Sequence, residues 1–269
     1  MQKMLLSALL VFCFLSINNC GNKKEKPVLL KTNYSTKEVW TYGIEYQSQG
    51  IFTTKGSTTT MSTNIGGTLS ANAKVNPGKL TITAGDIRIS SDMLKDEEKQ
   101  QLLQKIEQAT YAVNINETYP SFDTAEVLPA VNYPEWDLYR QFAKLLPALP
   151  EQAVTRGFTW ERALTMPVNT IHGRLPCDIY YNYKLDSLTD ATASITWEFT
   201  YRADEPAPDS ASITQLIPIA GMGSGSALLD TKNGMILKAE MKFKTPVATI
   251  SDISVEWQEH AVLTYTPGK

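Results

Sequence analysis

Residues 191–203 read ATASITWEFTYRA. Ala193, Ile195, Trp197, Phe199, Tyr201 and Ala203 occupy every second position, and Ser194, Thr196, Glu198, Thr200 and Arg202 fall between them. A period of two over thirteen residues is a β-strand with one buried and one solvated face. The same alternation extends outward in both directions. CDIYYNYKLDSL (177–188) sets Ile179, Tyr181, Tyr183 and Leu185 on one face, and FTWERALTMPV (158–168) is a further strand. GSALLDTKNGMILKAEMKF (225–243) reads as a hairpin turning at Thr231 to Gly234, with Gly234 at positive φ and Leu237, Ala239, Met241 and Phe243 continuing one face. DISVEWQEHAVLTY (252–265) aligns Ile253, Val255, Trp257, Glu259, Ala261, Leu263 and Tyr265.

Toward the amino terminus, WTYGIEYQSQGIF (40–52) alternates through Trp40, Tyr42, Ile44 and Tyr46, and GTLSANAKV (67–75) through Leu69, Ala71, Ala73 and Val75. KLTITAGDIRIS (79–90) runs Leu80, Ile82, Ala84 and then changes phase to Ile87 and Ile89, which predicts a bulge at Gly85. TYAVNINETY (110–119) is another strand. The fold class is mainly β with a few helices: long antiparallel amphipathic strands forming one or two curved sheets or half-barrels.

Two helices are expected, near 92–108 and 135–146. SDMLKDEEKQQLLQKIEQA (91–109) has Ser91 or Asp92 as cap and acidic residues in its first turns, where the helix dipole favours them. EWDLYRQFAKLL follows Pro134 and could present Trp136, Tyr139, Phe142, Leu145 and Leu146 on one face, either filling a core or covering a cavity. The expected organisation is a signal peptide (1–19), a tether (20–36), an amino-terminal β-rich half (37–118), a proline-rich connector (119–157) and a carboxy-terminal β-rich half (158–269). KEVWTYGIEY and GFTWERALTM both open a β-rich block with Trp, a hint of duplication.

The chain opens MQKMLLSALLVFCFLSINNCGNKKEKP. Lys3 precedes an apolar run, Leu5 to Ile17, that has the length of a signal core and is too short to span a bilayer. Cys20 stands at its boundary. The layout resembles a bacterial lipoprotein signal, which implies that Cys20 becomes the lipidated amino terminus; Asn18 and Asn19 depart from the small residues usual before that Cys. The alternative is an ordinary secretory signal followed by a chance Cys. Gly21 after the Cys implies, by the same resemblance, the bacterial outer membrane, with the lysine-rich tether favouring the periplasmic side. Cys13 leaves with the signal, and Cys177 is then the only other thiol, expected buried beside Ile179 and Tyr181.

The formal charge of −3 and the lack of a basic patch argue against nucleic acid as partner. His172 and His260 are the only histidines, no Cys/His spacing suits zinc, and no calcium loop is present, so neither metal nor cofactor is expected. GMGSGS (221–226) lacks the Gly-x-Ser-x-Gly frame of a nucleophile elbow, and no helix follows it as in a dinucleotide loop. It reads as a flexible lead-in to a strand. His260 alternates with Glu256 and Gln258 on a solvent face. Glu259 shares the apolar face with Trp257 and Ala261, where a carboxylate pairs or lines a polar cavity.

LLPALPEQAVTRGFTWE (145–161) and GMGSGSALLDTKNGMIL (221–237) together resemble uncharacterised Bacteroidota-like envelope lipoproteins with two β-rich halves joined by a proline-containing segment. At fold level the long amphipathic strands resemble Lol-type and LppX-like lipid carriers. Asp123-Thr124-Ala125, Asp186-Ser187-Leu188 and Asp209-Ser210-Ala211 resemble the Asp-Ser/Thr-apolar sequon of Bacteroidota O-glycosylation, which implies Thr124, Ser187 and Ser210 as acceptors. The expected function is non-enzymatic. A lipid-anchored envelope protein would bind a hydrophobic ligand or a partner protein, with Trp40, Tyr42, Tyr181, Trp197, Phe199, Trp257 and Glu259 lining the site. The alternatives are that these rings fill an ordinary core, that the protein is an assembly scaffold using a sheet edge, or that it hydrolyses envelope polymers, for which the sequence offers no support.

Overall fold

The computed structural model describes residues 26–31, 39–76, 79–92, 94–108, 110–115, 120–122, 145–170, 173–203, 220–232, 234–245, 248–250 and 252–267. The chain is mainly β. The strands are β1 (Val39–Thr54), β2 (Ser57–Asn76), β3 (Lys79–Ser91), β4 (Thr110–Ile115), β5 (Pro120–Phe122), β6 (Thr159–Thr170), β7 (Gly173–Leu188), β8 (Thr192–Ala203), β9 (Ala220–Asp230), β10 (Ile236–Lys244), β11 (Ala248–Ile250) and β12 (Ile253–Thr266), with one described helix, α1 (Asp96–Gln108).

Of the expected one or two sheets, one is found. Its order is β5-β4-β3-β2-β1-β12-β10-β9-β8-β7-β6, with β11 pairing β12 beside this path. Every described pairing is antiparallel. Strands next to one another in sequence are next to one another in the sheet, apart from the short β11 and the step from β5 to β6. The first and last long strands, β1 and β12, pair from Thr41↔Thr266 to Thr54↔Ile253. Among the described strands this is the connectivity of an up-and-down barrel left open between β5 and β6.

The alternation read from sequence sets one face inward. Trp40, Tyr42, Ile44 and Tyr46 of β1 are buried with Leu69 of β2, Ile82 of β3, Leu263 of β12, Met241 of β10 and Ile195 of β8. The bulge lies where the phase change placed it: Gly66 pairs Arg88 but Thr68 pairs Gly85, so β3 carries one extra residue, and Asp86 takes φ 53°. Opposite it, a Cβ on Gly67 would meet Ile87 Cδ1 at 2.5 Å. Lys55 and Gly56, both at positive φ, turn β1 into β2, and Gly234 at φ 61° turns β9 into β10, donating to Asp230 O at 2.8 Å.

The helix begins later than the sequence suggests. Ser91 ends β3, and Asp92 is held to β2, its amide donating to Ser62 O (2.9 Å) and its Oδ2 accepting from Ser62 Oγ (3.0 Å). Lys95 is the N-cap instead, because Glu98 Oε2 reaches back to accept its amide at 2.8 Å, one half of a capping box. The expected helix over 135–146 lies, through residue 144, outside the described residues. Beyond it, Leu145, Leu146, Ala148 and Leu149 are buried without helical structure, and Trp160 Nε1 donates to Ala148 O at 2.9 Å. Within the segment expected as tether, Val28 and Val154 exchange two backbone hydrogen bonds of 2.9 Å, and Leu30 is buried.

GMGSGS is not a lead-in; it lies within β9. Gly221, Gly223 and Gly225 occupy its inward positions, and the rings of β8 and β10 cover them. A Cβ on Gly225 would strike the Trp197 indole, one on Gly223 would strike Phe199, and one on Gly221 would strike Phe243 and Tyr201. Strands β8 and β10 are two strand spacings apart, about 9.6 Å. Their rings nevertheless meet, Phe199 to Phe243 at 6.2 Å and Tyr201 to Phe243 at 5.1 Å between centroids.

A methyl group on Gly223 would also lie 2.5 Å from the backbone oxygen of Lys242, which cannot rotate away. Gly223→Ala is therefore expected to lower stability by about 1–3 kcal/mol, the usual cost of overpacking. Gly43→Ala, within β1 and with Thr264 O at 3.9 Å as its nearest neighbour, should cost less. Urea midpoints of the two variants check the ranking.

Candidate functional site

The inward face carries the residues that the sequence pattern nominated, in three groups. On β1, Trp40 and Tyr42 are 2 % exposed, and Tyr42 meets Tyr265 edge-on at 5.8 Å. On β7 and β8, Tyr181, Trp197 and Phe199 join a continuous ring ladder: Trp160 stacks on Tyr183 (5.3 Å), Tyr183 on Tyr181 (5.5 Å), and Tyr181 meets Phe199 at 5.3 Å. On β12 between them stand Trp257, half-buried, and Glu259, 8 % exposed. All seven share one face of the sheet. Only the β7–β8 group, extended by Trp160, Tyr183 and Phe243, forms a contiguous aromatic wall.

A polar row crosses this apolar face. Ser91, Thr63, Ser48 and Glu259 are successive partners on β3, β2, β1 and β12. Thr63 and Ser48 are fully buried, Thr63 Oγ1 shares a 2.6 Å hydrogen bond with Ser91 Oγ, and Ser48 Oγ has no hydrogen-bond partner. Trp197 Nε1 is likewise buried without a partner. Each such group costs about 1–3 kcal/mol when left unsatisfied. In the ligand-free protein these hydrogen-bonding atoms are buried within an otherwise apolar face.

The outward face is polar and holds two adjoining depressions of about 730 and 980 Å³. Both are lined by Asn182, Glu198, Ser224 and Lys242. His260 stands there as expected, with Nε2 3.0 Å from Glu240 Oε1, and Lys242 Nζ lies 3.4 Å from the same oxygen. The His260 hydrogen bond, followed by Lys242, holds the Glu240 carboxyl below its usual range. At the β7 end, Asp186 is lowered by hydrogen bonds from Lys184 (2.6 Å) and Thr196 (2.6 Å). Among the described residues no group of three or more His, Cys, Asp or Glu is placed to hold a metal ion.

Ser187 is exposed on β7 beside Asp186. Cys20, Thr124 and Ser210 lie outside the described residues, as does the side chain of Cys177. Sequence reasoning missed the polar row, because Ser48 lies between two glutamines at the end of the β1 alternation and Thr63 sits in a threonine-rich stretch. It also missed the glycine strand, whose signal was a glycine at every second position.

No protein-family model and no curated protein matches the chain. Among solved structures it is similar, at 10 % identity and a TM-score of 0.18, to a DUF1329 family protein from Desulfovibrio piger, covering 88 % of this chain and 89 % of that one. The translocator domain of the autotransporter NalP from Neisseria meningitidis aligns at 10 % identity and a TM-score of 0.19 over 98 % and 97 % of the two chains.

Two outcomes are expected. Ser48→Ala should leave the urea midpoint of the ligand-free protein unchanged or raised, since it removes a buried unpaired hydroxyl, whereas Thr63→Val should lower stability by about 1 kcal/mol. Because Asp186 and Glu240 have folded-state pKa values below their unfolded ones, they contribute stability at neutral pH that is lost as pH falls through the folded values. Asp186→Asn should shallow the acid limb of a stability–pH profile, measured by urea unfolding from neutral pH down to about pH 3.

Proposed function

We propose that this chain is a non-enzymatic envelope protein, lipid-anchored through Cys20, whose opened barrel binds a hydrophobic ligand against its inward face. The observation that carries this reading is the single sheet with β1 paired to β12 and left open between β5 and β6. A sheet of this kind has one apolar face, and among the described strands its free edges are β5 and β6, between which a ligand could reach that face. The aromatic wall over β7 and β8 supplies contact area, and the Ser48–Glu259 row supplies polar atoms for a head group. Export to the periplasmic side of an outer membrane follows from the resemblance of the leader to a lipoprotein signal, and fits a carrier of lipids. The resemblance to Bacteroidota-like envelope lipoproteins and to Lol-type carriers belongs to the same reading.

A second reading rests on β6. Its twelve residues pair only with β7 among the described strands, so its other edge offers backbone donors and acceptors to a partner's strand. In that case the protein acts as an envelope assembly scaffold.

Mass spectrometry of organic extracts should find a lipid in the purified protein, and adding a long-chain fatty acid or a lysophospholipid should quench tryptophan emission. Ser48→Ala should weaken that response while leaving stability intact. No extracted lipid and no quenching would remove the carrier reading and leave the scaffold. Cys20→Ser should release the protein from membranes; unchanged detergent partitioning together with an unmodified amino terminus would remove the anchor.

A further inference from the structure

Strand β9 is thin on both faces. Inward it carries Gly221, Gly223 and Gly225; outward it carries Ser224 and Ser226, with Met222 at one end. Its neighbours are tall. Thr196, Glu198 and Thr200 of β8 flank it in register on one side, and Glu240, Lys242 and Lys244 of β10 on the other. Ser224 pairs with both Glu198 and Lys242, and these three side chains line both outward depressions. The two depressions are thus one trough with a serine floor. It crosses the strands, its lining reaching from Gln47 and Gln49 of β1 to Glu161 of β6 with Ser224 near the middle.

The geometry points to a binding site for an extended, uncharged oligosaccharide. Three features of the trough select that chemistry. First, β9 is hydrogen-bonded on both sides, so a peptide has no edge to pair with, and an occupant must be recognised by side chains alone. Second, the polar linings mix signs. Glu161, Glu198, Glu240, Glu256 and Glu259 stand against Lys184, Lys242 and Lys244, so a small negative excess repels a polyanion while the interspersed lysines break up any continuous acidic stretch for a polycation. Third, carboxylates accept, ammonium groups donate, and the hydroxyl and amide groups of Ser224, Ser226 and Asn182 do both. A polymer of vicinal hydroxyls answers each of these at every sugar.

An apolar platform lies along one side. Met222 and Tyr180 share a row through Thr200 and are 52 % and 55 % exposed. A ring face and a thioether there suit the C–H face of a pyranose. An acyl chain would find the same trough walled by ammonium and carboxylate groups, so this site is distinct from the inward one.

The test uses the full-length mature protein and calorimetric titration with chitohexaose, maltohexaose and cellohexaose, with dextran sulfate as a polyanion control. Saturable binding to at least one of the three glycans is expected, with little dependence on salt. Ser224→Phe fills the floor from the solvent side, and Glu198→Gln alters one wall. Each should weaken glycan binding by about tenfold, the loss typical when a site's polar groups are left unpaired. Neither should change the tryptophan response to lipid, which separates failure of this site from failure of the carrier reading. Absence of saturable binding to all three glycans overturns the proposal. So does binding to dextran sulfate alone, or glycan binding undiminished in Glu198→Gln, an exposed position where misfolding does not confuse the result.

Discussion

The packing of aromatic rings across a strand without side chains organises the carboxy-terminal part of the sheet. Rings rooted on β8 and β10 are too far apart to touch over an ordinary strand. Gly221, Gly223 and Gly225 remove the intervening side chains, and Phe199, Tyr201 and Phe243 close over the bare backbone. Glycine in a strand interior is entropically unfavourable, and the rings offset that loss by shielding the backbone and burying large apolar area. The arrangement also fixes register. A slip of one residue in β9 would drive Met222 and Ser224 under the rings and turn the glycines outward.

From there the sheet continues through β10 and β12 to β1. The last strand of the chain lies between β10 and the first long strand, so the amino-terminal meander gains its second neighbour only when residues 253–266 are in place. Pairings such as Thr41 with Thr266 span nearly the whole sequence. Contacts of this separation pay their loop-closure entropy before they return any stability, which predicts slow folding for the sheet as a whole.

Local features of this fold were legible because each is written in a few adjacent residues. Alternation named the strands, Gly234 named a hairpin and the phase change at Gly85 named a bulge. What escaped was decided by distant partners. GMGSGS resembles a loop until Trp197, Phe199 and Phe243 are laid over it, and nothing near residue 221 announces those rings. The start of α1 moved because Ser62, thirty residues upstream, holds Asp92. LLPALP looked like a linker on its prolines, yet its leucines and Ala148 are buried, and Ala148 O receives the Trp160 indole. Within the site, the aromatic members followed from the period of two, whereas Ser48 acquires meaning only from standing opposite Glu259.

The bridge between Val28 and Val154 sets a geometric limit. Only seven residues, eight Cα steps, separate Cys20 from Val28. At full stretch that leash spans about 28 Å. With an acyl group on Cys20, Val28 and its partner Val154 are held within about 28 Å of the bilayer surface, whatever the rest of the molecule does. The protein would then move as a body tethered at a point five residues before β6.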